Sequence, residues 1–160
     1  IIYQQLSGKA ASAIYKKFLL LFDKEKINFK KLRLMTDPQL RTAGVSAQKA
    51  KYLRDLAHHV EVGLLPAEDL LFKMEDALII EKLTLVKGIG VWTVHMMLIF
   101  YFKRIDVFPS LDLGVKKGYQ VLFQTKALPE TKELDKICEK WAPFKSIAAL
   151  YLWRAADQNK

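Results

Sequence analysis

The sequence predicts an all-α fold. Apolar residues recur at intervals of three and four along most of the chain, which is the spacing of the buried face of an amphipathic helix. No alternation of apolar and polar residues is long enough to predict a sheet. Hydrophobic residues make up 51% of the 160, whereas there are only 7 glycines and 5 prolines, so the chain can bury a core with few irregular segments.

Capping residues and helix breakers divide this pattern into segments. Thr36 and Ser46 are N-cap candidates, while Gly44 and Gly63 mark helix ends. The first predicted helices run from Ile2 to Leu21, from Thr36 to near Gly44 and from Ser46 to Gly63. A short helix then begins near Pro66, another runs from about Asp76 to Leu85, and a very apolar one begins at Val91. The last three begin at Pro109–Ser110 and include Asp112 and Tyr119, begin after Pro129 and reach Trp141, and begin at Pro143 and continue through Trp153.

The charge of the chain points to a polyanionic partner. A formal net charge of +9 favours nucleic acid or an anionic membrane surface. The basic residues are spread out rather than gathered on one amphipathic helix, and the most apolar run, Val91–Phe102, is too short to span a bilayer, so we expect no membrane partner. Cys138 is the only cysteine, which excludes an internal disulfide and a four-cysteine iron–sulfur cluster. We interpret it as a packing residue.

The sharpest local pattern is a hairpin between two helices at about 83–94. The glycines of Gly88-Ile89-Gly90 permit positive φ angles and let another surface approach the backbone. The following helix presents unpaired N–H groups and a positive dipole end, which together suit a phosphate. Such a contact would hold DNA without reading its sequence. The candidate DNA-binding residues here are Lys87, Gly88, Gly90 and Thr93.

Five segments together resemble one protein family. They are Gly88-Ile89-Gly90-Val91-Trp92-Thr93, Asp106-Val107-Phe108-Pro109-Ser110-Leu111-Asp112, Gln4-Gln5-Leu6-Ser7-Gly8-Lys9-Ala10-Ala11, Trp141-Ala142-Pro143-Phe144-Lys145-Ser146 and Leu152-Trp153-Arg154. In this order and at these spacings, the chain resembles the helix-hairpin-helix (HhH-GPD) DNA glycosylases, and within them the 3-methyladenine DNA glycosylase II group.

The resemblance implies an architecture and a reaction. It implies one glycosylase domain over 1–160, built as two helical lobes with a cleft between them and without an N-terminal β-rich domain. The implied partner is double-stranded DNA with alkylated bases, one of which is flipped out of the helix. We expect a monomer that acts in base excision repair, in the cytoplasm at the nucleoid of a bacterium or in a eukaryotic nucleus.

The resemblance places the family's catalytic carboxylate on Asp112. Breaking an N-glycosidic bond builds positive charge on the sugar, which a fixed carboxylate can stabilise while it orients or activates water. From the sequence alone, Asp112 is an acidic residue in the first turn of a helix that Ser110 could cap, and this is common. We interpret the neighbouring Asp106 as structural, either as a cap or as a partner of Arg104.

The residue at Trp92 bears on whether the enzyme only removes the base or also cleaves the DNA strand. In related bifunctional glycosylase/lyases, the position two residues after the second glycine is a lysine that forms a Schiff base with the sugar. A tryptophan there implies a monofunctional enzyme that hydrolyses the bond of bases such as 3-methyladenine and 7-methylguanine and leaves an abasic site. The pocket candidates are Trp92, Trp153, Met96 and His95, of which His95 follows from helical spacing alone. Each is also a plausible core residue.

Other predictions concern contacts with DNA and bound ions. Family members fill the gap left by the flipped base from the segment that matches Gln4-Gln5-Leu6-Ser7, where Gln4, Gln5 and Ser7 are candidate DNA contacts and Gln5 or Ser7 is the candidate gap-filling residue. Lys116 and Lys117 could reach phosphates. The family hairpin can hold a monovalent cation, Na⁺ or K⁺, through backbone carbonyls, which here would belong to Thr84, Val86 and Ile89. No other cofactor is expected. The alternative to an enzyme is a non-catalytic helix-hairpin-helix DNA-binding module, and a third reading is a bifunctional lyase.

Overall fold

A computed structural model describes residues 1–158, and every regular element in that range is a helix, which confirms the all-α prediction. The described chain forms two compact units that divide between Gly90 and Val91. None of the described helices is both long enough and apolar enough to cross a membrane. The cleft that the resemblance implies stays a prediction.

The first unit contains six α-helices and a 3₁₀ turn at Asp23–Glu25. The helices are α1 (Gly8–Leu19), α2 (Phe29–Leu34), α3 (Asp37–Thr42), α4 (Ala47–Glu61), α5 (Glu68–Leu71) and α6 (Asp76–Thr84). Helix α4 packs against α2, and its buried residues Ala50, Leu53 and Ala57 follow the predicted apolar spacing. They join a core that also contains Phe18 and Leu40.

Two of the predicted caps are confirmed. Thr36 and Gln39 form a capping box at the start of α3, in which each side chain binds the backbone N–H of the other residue. The Ser46 hydroxyl accepts the N–H of Lys49 at 3.3 Å and caps α4. Gly63 follows the end of α4 with a φ of +72°, as expected for a helix stop.

The prediction for the first helix is wrong at its start. Helix α1 begins at Gly8 rather than Ile2, because the Ser7 side chain caps it and Gln5 has a left-handed φ of +57° that no helix can contain. Ile2 is nevertheless buried in the core of this unit. Its apolar character therefore reflected burial and not helical structure.

The described part of the second unit, 91–158, contains four α-helices and a 3₁₀ turn. The helices are α7 (Val91–Phe100), α8 (Leu113–Phe123), α9 (Thr131–Ile137) and α10 (Lys145–Gln158). Trp141 ends the 3₁₀ turn Cys138–Trp141 rather than a continuous helix, which corrects the prediction for this segment. The core contains Phe108, Val115, Leu134, Cys138, Ala149 and Leu152. Cys138 is buried there as predicted, and burial raises the pKa of its thiol.

Helices α8 and α10 approach each other very closely. A Cβ atom added to Gly118 on α8 would lie 1.8 Å from the carbonyl oxygen of Leu152 on α10. Only a residue without a side chain fits at this crossing. The start of α8 and Trp153 on α10 both belong to the site described below, so the distance between the two helices affects that site.

Ser146 fixes the segment that leads into α8. Its buried hydroxyl donates to the carbonyl of Val107 and accepts the N–H of the same residue, each at 3.0 Å. Asp106 Oδ1 accepts the N–H of Lys145, the first residue of α10. Asp106 thus makes a structural contact at the start of α10, and its pairing with Arg104 stays a prediction.

We expect the Ser146→Ala substitution to lower the free energy of unfolding by about 2 kcal/mol, because it leaves two backbone groups of Val107 buried without their partner. The midpoint of urea denaturation measures this loss. A midpoint equal to that of the wild type would mean that water or another group replaces the hydroxyl.

Candidate active site

Asp112 is the N-cap of α8. Its backbone is extended (φ −75°, ψ 125°), and its Oδ1 atom accepts the N–H of Val115 at 2.9 Å. The prediction that Ser110 caps this helix is wrong, because Ser110 lies two residues upstream, is buried, and donates its N–H to the carbonyl of Phe108. The Asp112 carboxylate thus stands directly at the positive end of the helix dipole.

Two tryptophans hold the Asp112 carboxylate from either side. Trp92 Nε1 donates to Oδ2 at 2.6 Å, and Trp153 Nε1 donates to Oδ1 at 2.7 Å. With the N–H of Val115, the carboxylate accepts three hydrogen bonds, which is the pattern of an ionised, acceptor-only group. The two short indole bonds also fix the plane of the carboxylate.

One face of α7 supplies the aromatic surroundings. Trp92, Met96 and Phe100 occur at every fourth residue and therefore share a face, while Val94 and Leu98 are fully buried. The ring of Phe100 stacks on that of Trp153, with centroids 5.6 Å apart and planes 29° apart. Phe100 is half exposed. Sequence reasoning missed it, although its spacing from Met96 was a usable signal.

Gly114 leaves room for the contact between Asp112 and Trp153. A Cβ atom at this position would lie 2.8 Å from Trp153 Cδ1 and 2.9 Å from Asp112 Oδ1. Any side chain would push the indole away from the carboxylate. This role of Gly114 could not be predicted from the sequence, since the indole of Trp153 lies far along the chain and meets Gly114 only in the folded protein.

The other predicted pocket residues lie on the same helix. His95 and Met96 are both half-buried on α7, one helical turn after Trp92. The structure therefore brings Trp92, Trp153 and Asp112 into direct contact, and it places Met96 on the face that Trp92 and Phe100 share. A direct contact of His95 or Met96 with a base stays a prediction.

The hairpin turn belongs to the first unit. Gly88 has a φ of +81°, and a Cβ atom there would overlap the ring of Tyr52, so this glycine is required twice over. Apart from Gly90 itself and its two chain neighbours, no described residue has an atom within 4 Å of where a Cβ of Gly90 would be. Lys87 is exposed, and its N–H donates to Asp55 Oδ2 at 2.8 Å.

The segment at Gln4, Gln5 and Ser7 reaches this hairpin. Gln4 Nε2 donates to the carbonyl of Gly88 at 2.9 Å, and the Ser7 hydroxyl accepts the N–H of Ala10 as the cap of α1. Gln5 is exposed between them. Of the two candidates for filling the gap in DNA, Ser7 is bound as the cap of α1, whereas Gln5 is exposed and is not needed as a cap.

The two lysines after Asp112 differ. Lys116 Nζ donates to the Thr131 hydroxyl at 2.8 Å, which ties α8 to α9, while Lys117 is exposed. Both remain predictions as phosphate contacts, and Lys117 is the more accessible of the two.

We expect the Trp153→Phe substitution to slow base release about 10-fold, because it removes one hydrogen bond to a charged carboxylate and keeps an aromatic ring against Phe100. Single-turnover release of free base from alkylated duplex DNA measures the effect. The same substitution at Trp141, whose ring packs against that of Phe108, is the control. Equal rates for Trp153→Phe and wild type would show that the indole N–H does not tune the carboxylate.

A carboxylate, two indoles and a stacked phenyl ring define a site for cationic chemistry in an all-helical fold. The model of the family described as HhH-GPD superfamily base excision DNA repair protein matches residues 1–144. This chain belongs to that family.

Its similarity to characterised relatives covers almost the whole chain. It is 37% identical over 161 aligned positions to DNA-3-methyladenine glycosylase 1 of Schizosaccharomyces pombe. This alignment covers 98% of this chain and 71% of that protein. A structure of the 3-methyladenine DNA glycosylase Mag1 of the same yeast, in complex with abasic DNA, matches with a TM-score of 0.80 and 36% identity over 96% of this chain and 75% of that one. The DNA-3-methyladenine glycosidase structure from Bacillus halodurans matches with a TM-score of 0.84 and 40% identity over 97% and 71%.

Proposed function

We propose that this protein is a monofunctional DNA glycosylase of base excision repair. It hydrolyses the N-glycosidic bond of alkylated purines, such as 3-methyladenine and 7-methylguanine, and leaves an abasic site. The observation that carries the proposal is the Asp112 carboxylate, held by Trp92 and Trp153 at 2.6 and 2.7 Å. The relatives named for 3-methyladenine support the choice of substrate.

The chemistry requires little beyond a fixed negative charge. An alkylated purine is already cationic, so it leaves the sugar as a neutral base and needs no acid to protonate it. Positive charge then develops on the sugar, and the Asp112 carboxylate stabilises that charge. Water then adds to the anomeric carbon and loses a proton. The carboxylate can orient this water or accept the proton. Aromatic rings such as those of Trp153 and Phe100 suit a cationic base through stacking and cation–π attraction.

The residues around Asp112 favour hydrolysis over strand cleavage. A lyase needs an amine that can form a Schiff base with the sugar. At the position where the related lyases have lysine, Trp92 donates its indole N–H to Asp112, and an indole nitrogen is not a nucleophile. Borohydride trapping of the protein on DNA tests this point, and a covalent adduct would overturn the monofunctional assignment.

Backbone and basic groups would hold the DNA. We assign phosphate contact to the hairpin at Lys87, Gly88, Gly90 and Thr93, with help from Lys117 and Lys116. We assign the filling of the DNA gap to Gln5. If about four phosphates are neutralised, the slope of log affinity against log salt would be about −3 to −4.

We further propose that the hairpin turn binds a monovalent cation. The carbonyl of Val86 accepts the N–H of Ile89 at 3.0 Å and keeps a second lone pair, so the carbonyls of Thr84, Val86 and Ile89 could share a Na⁺ or K⁺ ion. Such an ion would offset phosphate charge near the turn. We propose no other cofactor, and we propose that the protein acts as a monomer on chromosomal DNA, in the nucleoid or the nucleus.

The direct test is chromatography of the bases released from methylated duplex DNA. The proposal predicts free 3-methyladenine or 7-methylguanine and a matching number of alkali-sensitive abasic sites. DNA binding without any released base would favour the non-catalytic binding module instead.

A further inference from the structure

The turn at Gln4–Gln5 needs support from outside itself. Gln5 has a φ of +57°, a conformation that residues with side chains rarely adopt. The turn borders a pocket of about 240 Å³ that is partly open to solvent and lined by Ile2, Leu6, Ile14 and Val45 among others, so close packing around the turn is incomplete on that side. Hydrogen bonds from outside the turn add support.

Lys49 supplies those hydrogen bonds. Its Nζ donates to the carbonyl of Gln4 at 2.6 Å and to the carbonyl of Ile2 at 2.8 Å, which brackets the turn with two charge-assisted bonds. Burial lowers the pKa of the Lys49 ammonium. Lys49 also lies in the first turn of α4, where the helix dipole disfavours a cation. A lysine that local electrostatics disfavours is better explained by the two carbonyls that it binds.

The same helix also supports the hairpin. Tyr52, three residues after Lys49, fills the space beside Gly88, and Asp55, three residues later again, accepts the N–H of Lys87. The Gln4 side chain then joins the two loops directly through the carbonyl of Gly88. Helix α4 thus contacts the Gln4–Gln5 turn through Lys49 and the hairpin through Tyr52 and Asp55, which lie three residues apart along the helix.

We propose that Lys49 is a positioning residue for base flipping, which holds the Gln4–Gln5 turn in the conformation that presents Gln5 to DNA. Gln4 acts as a strut between this turn and the hairpin, not as the residue that enters the DNA. The inference rests on the proposed glycosylase function and adds to it the group that sets the geometry of the gap-filling residue.

The test compares Lys49→Met with Gln5→Ala on two duplexes. One contains 7-methylguanine opposite cytosine, and the other contains the same base opposite an abasic site, where little pairing opposes flipping. Single-turnover release from the paired duplex should fall about 10-fold for each variant, whereas the loss on the unpaired duplex should stay within about 3-fold. The double variant should be no slower than Gln5→Ala, because both changes disable one device.

Lys51→Met is the matched control, since it removes the same charge from an exposed position on the same helix. A thermal melt checks that each variant is folded. Lys49→Gln, which keeps one amide donor, is the second variant if Lys49→Met is unfolded, and an intermediate loss on the paired duplex is then expected.

Three results would overturn the inference. They are wild-type release by folded Lys49→Met, equal losses on both duplexes, and losses of Lys49→Met and Gln5→Ala that multiply in the double variant. A wild-type protein that releases no base from either duplex would overturn the proposed function and this inference with it. The wild-type control thus separates the two failures.

Discussion

The Asp112→Asn protein should release alkylated bases at least 10²- to 10³-fold more slowly than the wild type, the loss seen when one charge-stabilising group is removed from an active site. An amide keeps the size of the side chain but not its negative charge. It can still accept from Val115 and Trp153 through Oδ1, whereas its NH₂ group would face the N–H of Trp92. The substitution therefore removes the charge and one of the bonds that orient the side chain.

DNA binding separates this effect from misfolding. Affinity for a duplex with an abasic-site analogue should be unchanged or slightly higher, since the variant carries one negative charge less. Asp106→Asn is the matched control, because Asp106 lies in the same segment and an asparagine there keeps the Oδ1 acceptor for the N–H of Lys145. If the Asp112→Asn and Asp106→Asn proteins released base at equal rates, Asp112 would not be the catalytic residue.

The Gly118→Ala substitution should give the largest loss of stability. The new methyl group would lie 1.8 Å from the carbonyl oxygen of Leu152, and a backbone carbonyl cannot turn aside as a flexible side chain does. Helix α10 would have to move away from α8. We expect a loss near the upper end of the range for overpacked cores, about 3 kcal/mol, and a melting temperature lower by about 6–12 °C.

The same movement should reach the site. Trp153 follows Leu152 directly, so a displaced α10 carries the indole away from Asp112, and base release should slow as well. Gly8→Ala is the control, since no described atom lies within 4 Å of the position of its Cβ, and its stability should change by less than about 1 kcal/mol. Equal melting temperatures for Gly118→Ala and wild type would mean that the crossing has room for a side chain.

The local features of the fold could be predicted from the sequence. Caps such as Thr36 and Ser46 act on backbone groups two or three residues away, so their signals lie within one short window. The need for a glycine at position 88 of the hairpin could also be predicted, because a tight turn between two helices requires a positive φ. By contrast, the start of α1 was misplaced because the apolar residue Ile2 is buried without being helical.

The contacts that make the site are long-range, and the sequence does not contain them. Trp153 binds Asp112 across 41 residues, and Ser146 binds Val107 across 39. The resemblance identified Asp112 and both tryptophans as site residues, but not that the indoles bind the carboxylate. Gly114 and Lys49 were missed, since the role of each depends on which groups lie beside it in the folded protein. Phe100 was missed although its helical spacing from Met96 was a usable signal.

The most direct test of the central claim is a single-turnover time course of base release from methylated duplex DNA by proteins whose DNA affinity is already known. For the wild type, the structure predicts release of free alkylated purine with one abasic site formed for each base. For Asp112→Asn, it predicts binding with release reduced at least 10²-fold. Wild-type and Asp112→Asn proteins that bind equally well and release base equally, or not at all, would contradict the claim that Asp112 is the catalytic carboxylate.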